Sequence, residues 1–180
     1  MGWRAQPTTQ VQFDDCMVPL DNLIGTEGKG FHYAMAGLDG GRLNIAASAL
    51  GGAQQALNLT LGYMGERKAF GRTLDQFQAL QFRLAEQEVR LQSSRVFLRQ
   101  AAWKLDTKAA DATKFCAMAK LYVTDAAFEV ANACLQLHGG YGYLADYGIE
   151  KLVRDLRVHQ ILEGTNEIMR LIISRAILAE

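Results

Sequence analysis

The placement of proline constrains this chain more than any other feature: its two prolines, Pro7 and Pro19, both fall near the start. A proline inside a helix removes a hydrogen bond and clashes with the preceding turn, so nothing of that kind interrupts helix from residue 20 onward. The apolar residues use this freedom. Leu43, Ala46, Leu50, Ala53, Leu57, Leu61 and Met64 recur every three or four positions, the stripe of a helix facing a core, and Arg42 stands where that helix begins. Phe77, Leu80, Leu84, Leu91, Leu98 and Ala102 mark a second helix, with Asp75 as its N-cap after a break at Gly71 and with Gln87 and Ser94 interrupting the stripe. A third runs from about Thr113 to Leu137 and ends at Gly139 and Gly140, a composition suited to a helix C-terminus. Shorter helices are expected over residues 147–157 and from about Thr165 to Ala176. Three long helices and two short ones predict an all-α, up-and-down bundle over residues 25–180.

Residues 1–24 have a different character. Thr9, Val11 and Phe13 alternate with polar neighbours, which predicts one half-buried strand over residues 8–14. No second strand is available to pair with it. The glycines of residues 25–30 follow a GxxGxG spacing with no βαβ unit around them, so a dinucleotide-binding fold is excluded.

Composition narrows the function classes. Nineteen Lys and Arg balance nineteen Asp and Glu, so no overall field draws the chain to nucleic acid or to an anionic membrane. With 49% hydrophobic and 21% charged residues, a real core is expected. The uncharged run over residues 43–65 is long enough to cross a bilayer, but Asn44, Gln54, Gln55 and Asn58 make it too polar for lipid on all sides. Cys16, Cys116 and Cys134 are odd in number and widely spaced, which suggests neither a disulfide framework nor a metal site. His138 and His159 have no metal-ligand spacing, and no Ser-His-Asp arrangement is visible.

Four places hold residues suited to chemistry. Glu163 follows Ile161 and Leu162 at a glycine-marked break; apolar neighbours disfavour a charged carboxylate and raise its basicity, so Glu163 reads either as a general base or as a solvated residue in a helix connection. Arg67, Lys68 and Arg72 read as a phosphate site beside a helix N-terminus or as an exposed basic loop. The glycines of residues 139–142 let backbone approach a ligand closely, or simply cap a helix. Arg42 and Asp39 are placed for a local ion pair.

Taken together, RKAFG at 67–71 with Phe77 and Gln78, QLHGGYGY at 136–143 and RVHQILEGTNEIMR at 157–170 resemble the C-terminal helical domain of the acyl-CoA dehydrogenases, in order and across essentially the whole chain. Residues 37–46, 137–147 and 159–167 look most like the members that act on isobutyryl-CoA. The resemblance implies α,β-dehydrogenation of a short branched acyl-CoA: a glutamate removes the α-proton, the β-hydrogen leaves as hydride to FAD, and electron-transfer flavoprotein reoxidises the flavin, in what is commonly a homotetramer. Glu163 matches the base. Gly164 matches a position that meets the thioester region, and Asp39 with Arg42 match positions near the substrate. Arg67, Lys68, Ala69, Phe70 and Gln78 match flavin-contacting positions used across a subunit interface; Gln136, Leu137, His138, Gly139 and Gly140 match a further flavin-contacting stretch; Thr165, Asn166 and Glu167 match the contacts just after the base.

The sequence departs from the family where Ala69 replaces a common Thr and Glu167 a common Gln. Complete members also carry an N-terminal helical domain and a middle β domain. The chain is therefore expected to be a fragment that does not turn over alone, with residues 1–24 a remnant of the β domain, from an enzyme of a bacterial cytoplasm, with the mitochondrial matrix as the alternative. Two other readings stay open: a non-catalytic bundle serving oligomerisation or partner binding, and a family member with a different acyl thioester as substrate.

Overall fold

A computed structural model describes residues 1–179. Three long helices carry it: α1 (Gly30–Glu66), α2 (Gln78–Asp106) and α3 (Ala112–His138), followed by the shorter α4 (Ile149–Leu156) and α5 (Asn166–Leu178). They form the expected up-and-down bundle. α1 and α3 run parallel, since Asp39 and Arg42 act on Cys116 at one end and Tyr63 meets His138 at the other. α3 is the central element, packed against all four other helices but most closely on α1 and α2. The shared core is rich in small residues: Ala46, Ala49, Ala53 and Ala56 of α1 meet Ala127, Val130, Ala131 and Cys134 of α3, which lets the two backbones approach closely.

Three expectations need correction. No strand forms over residues 8–14, where Val11 and Phe13 are 70% and 81% exposed; backbone donors and acceptors with no neighbouring strand gain nothing from an extended ladder. α1 does not begin at Arg42, which lies about three turns inside it. Gly37, Gly40 and Gly41 each weaken a helix by about 1 kcal/mol and so read as a boundary, but none of them breaks the hydrogen-bond ladder. Asp75 is not the cap of α2: it sits in a short 3-10 turn, Leu74–Gln76, accepting from the Thr73 hydroxyl while its carbonyl accepts from Gln81 Nε2 at 2.7 Å.

The α1–α2 connection holds a hairpin that the sequence pattern did not announce, β1 (Lys68–Ala69) paired antiparallel with β2 (Arg72–Thr73), Ala69 opposite Arg72. Its two-residue turn has φ of 51° at Phe70 and 82° at Gly71, the pair of left-handed residues that tight hairpins need. On α2, the polar residues that seemed to interrupt the stripe are among its most buried: Gln87 and Ser94 join Leu91 and Ala101 against the core, and the Ser94 hydroxyl is satisfied by Arg90 O at 2.8 Å. No helix among the described residues is long and apolar enough to cross a membrane.

Candidate active site

The matched residues gather at two ends of the bundle. At the first, the loop between the turn Arg157–Gln160 and α5 carries Glu163 over the N-terminal half of α1. Glu163 and Gly164 both adopt left-handed backbone, φ 56° and 87°. For a glutamate this conformation costs on the order of 1 kcal/mol and persists only where the surroundings enforce it. The turn sends the Glu163 carboxylate down onto Gly41: a Cβ placed there would lie 2.5 Å from Glu163 Oε2. One turn of α1 around this glycine holds Asp39 and Arg42, paired at 2.7 Å from Arg42 Nη1 to Asp39 Oδ1, while the Thr113 hydroxyl donates to the other Asp39 oxygen at 2.6 Å. Arg42 is buried and its Nε–H has no acceptor among the described residues. Beneath the pair lies Cys116, whose thiol is pushed up to about 11 by burial, with Asp39 adding to the shift. The site therefore has a dry floor, a fixed carboxylate and an orphaned cationic donor.

The loop is anchored from below by α3. Lys120 is fully buried and donates to Gly164 O and to Asn166 Oδ1, both at 2.8 Å. Burial drives the Lys120 ammonium down to about 8, partly countered by Asp125, Glu167 and Glu163. Asn166 donates from Nδ2 to Thr124 Oγ1 at 3.1 Å and to Asp125 Oδ1 at 2.7 Å, so its side chain is engaged with α3. Thr165 caps α5 by accepting from Ile168 N at 3.4 Å. Glu167 stands exposed in the first turn of α5, its carboxyl held below the usual range by its own backbone N–H and the Thr165 hydroxyl.

The second end collects Arg67 with the glycine-rich turn after α3. A cavity of about 530 Å³ is lined by Tyr63, Arg67, Arg83, His138, Gly139 and Tyr141, among others. His138 is buried, stacks on Tyr63 with centroids 4.3 Å apart, and places Nδ1 2.8 Å from Cys134 O. The Arg67 guanidinium lies 4.8 Å above the Tyr141 ring. Gln136, Gly139 and Gly140 face outward, and a Cβ at either glycine would meet nothing within 4 Å. Phe70 projects from the hairpin tip, 97% exposed, with Lys68 and Gln78 also exposed and Ala69 half-buried. A guanidinium, flat rings and open glycine backbone suit a flat, phosphorylated cofactor, so these residues fit a flavin dinucleotide.

From Gly41 to Tyr63 along α1 is about 33 Å at the helical rise, so the two groups of residues lie far apart within one chain. Sequence reading assigned no role to Gly41, Lys120, Tyr63 or Tyr141. The available signals were two consecutive glycines inside helical spacing and a lysine within the apolar run of residues 116–123.

Residues 28–178 match the acyl-CoA dehydrogenase C-terminal domain, and the chain belongs to that family. It is 52% identical over 180 residues to the mitochondrial isobutyryl-CoA dehydrogenase of Bos taurus, covering 100% of this chain and 43% of that protein. Butyryl-CoA dehydrogenase from Megasphaera elsdenii superposes with a TM-score of 0.87 at 39% identity, over 92% of this chain and 43% of that one. A chain from a structure concerned with the electron transferring flavoprotein of Acidaminococcus fermentans and flavin-based electron bifurcation gives a TM-score of 0.89 at 43% identity, over 93% and 44%. The chain thus spans less than half the length of these relatives.

Proposed function

We propose that this chain is the catalytic helical part of a FAD-dependent acyl-CoA dehydrogenase that forms the α,β double bond of a short branched acyl-CoA, isobutyryl-CoA. The observation that carries this reading is the left-handed pair at Glu163 and Gly164, which holds one carboxylate against Gly41 beside Arg42. Glu163 takes the α-proton and becomes a carboxylic acid. Asp39 and Arg42 border the substrate, the Arg42 Nε–H being a donor in want of an acceptor, and the Gly164 backbone meets the thioester region. The apolar floor around Cys116 excludes water, which strengthens the interactions at the reacting carbon. FAD, when bound, would supply the acceptor for the β-hydride, with electron-transfer flavoprotein as the partner that takes the electrons onward. Thr165 and Glu167 border the flavin on the base side, and Asn166 keeps that segment in place. Arg67, Lys68, Ala69, Phe70 and Gln78, with residues 136–140, hold the flavin of a neighbouring subunit, which accounts for the distance between the two ends. Sharing a flavin needs at least a second subunit, and for the homotetramer the surface we assign is on α2, where Phe82, Val89, Val96 and Trp103 recur every seven residues and are each 60–67% exposed.

Anaerobic titration of the full-length parent protein with isobutyryl-CoA, following the oxidised-flavin absorbance, tests the reading. Prompt bleaching that Glu163→Gln eliminates is expected. Bound flavin that isobutyryl-CoA does not bleach would move the substrate to another acyl thioester, and a protein that binds no flavin would overturn the assignment in favour of a purely structural bundle.

A further inference from the structure

Lys120 has no evident reason to be a lysine if its role is packing. It lies in the N-terminal half of α3 at zero exposure, with no carboxylate within ion-pairing distance among the described residues. Burying an ammonium carries a desolvation cost that its hydrogen bonds must repay, and a methionine of similar shape would fill the space without that cost. What the ammonium does is specific. Its two acceptors, Gly164 O and Asn166 Oδ1, belong to the segment immediately after Glu163, and Asn166 passes the connection on to Thr124 and Asp125, one turn along the same helix. Asp125 in turn accepts from Gln160 Nε2 at 2.7 Å, on the other side of Glu163. The loop over residues 160–166 is thereby stitched to one face of α3 at both of its ends, with Glu163 at the crest between the stitches.

We propose that Lys120 is the positioning residue of the base: by holding the Gly164 carbonyl and Asn166 from inside the bundle, it enforces the left-handed turn that aims the Glu163 carboxylate. The inference rests on the reading of Glu163 as base. Lys120, at zero exposure, meets neither substrate nor flavin itself, so its removal acts chiefly on the aim of Glu163 and on binding only indirectly, through the Gly164–Glu167 segment it holds. Misplacing a catalytic group by about 1 Å costs on the order of 10²-fold in rate, and a loss of that size is expected for Lys120→Met.

The test uses the full-length flavoprotein and three variants, Lys120→Met, Lys120→Gln and Glu163→Gln, in rapid-mixing anaerobic reduction by isobutyryl-CoA. Lys120→Met is expected to keep its flavin and to change its half-saturating substrate concentration far less than its limiting rate of bleaching, which falls about 100-fold. Lys120→Gln, which retains N–H donors one atom nearer the helix, recovers part of that loss. Wild-type limiting rates in both Lys120 variants, with Glu163→Gln inert, would overturn this inference and leave the base intact. Loss of flavin or of a cooperative melt in both would assign Lys120 to the fold alone and equally overturn it. Normal bleaching by Glu163→Gln would remove the base reading and this inference with it.

Discussion

Gly41→Ala separates the geometry of the base from the stability of the fold. The added Cβ would sit 2.5 Å from Glu163 Oε2 and 3.1 Å from its Cδ, where ordinary contact begins at 3.4 Å. The carboxylate is the end of a rotatable side chain, so it yields while the helix does not, moving by roughly 1 Å; a shift of that size costs about 10²-fold in a proton transfer that depends on orientation. The backbone effect has the opposite sign. Gly41 lies inside α1 without a left-handed φ, and alanine there gains about 0.5–1 kcal/mol in helix stability. The full-length variant is therefore expected to melt at or above the wild-type temperature, with full flavin content, and to be bleached by isobutyryl-CoA about 100-fold more slowly. Two results would refute the reasoning: bleaching at the wild-type rate, which would mean that the carboxylate position is immaterial, or a marked loss of stability, which would mean that the strain falls on the helix.

Two more expectations follow from other features. Replacing Val89 and Val96 together by glutamate puts charge on the exposed face of α2 without touching the core, so light scattering of the full-length protein should show dissociation with helical content unchanged; an unchanged mass would place the assembly surface elsewhere. Lys120, set among Arg42, Asp125, Glu163 and Glu167, has a folded-state value of about 8 against an ordinary 10.5. Between those values the unfolded chain binds more protons than the folded one, so this group makes stability rise with pH; below 8 the cost of burying the charge is borne in full. Denaturant unfolding should then show wild type gaining on Lys120→Met as pH climbs from 8 to 10.5, and a difference independent of pH would contradict the assignment.

The bundle was readable because α1 and α3 place small and apolar residues at helical spacing along the faces they bury, and no proline competes with that pattern. On α2 the stripe holds at Leu84, Leu91 and Leu98, which pack on the core as their spacing predicts, while Gln87 and Ser94 are buried on the same face rather than interrupting it, Ser94 by returning its hydroxyl to its own helix at Arg90 O. The site divides in the same way. Glu163 stands out as a candidate because its neighbours in the chain are apolar and a glycine follows it. Lys120 could not, since a lysine is expected at the surface and what drew it inward, the Gly164 carbonyl 44 residues on, becomes a neighbour only in the fold. Nor does spacing along the chain say that residues 67–78 and residue 163 lie at opposite ends of one helix.

That separation has a genetic consequence. On the proposed function, a lesion at the Glu163 end and a lesion at the Arg67 end would damage different halves of an active centre, and each would leave the other half of the same polypeptide sound. When each centre is built from the base end of one subunit and the hairpin end of the next, two inactive alleles of opposite type co-expressed in one cell assemble some centres with neither defect, whereas two alleles damaged at the same end never do. Loss-of-function alleles of the parent gene would accordingly sort into two complementation classes, divided along α1.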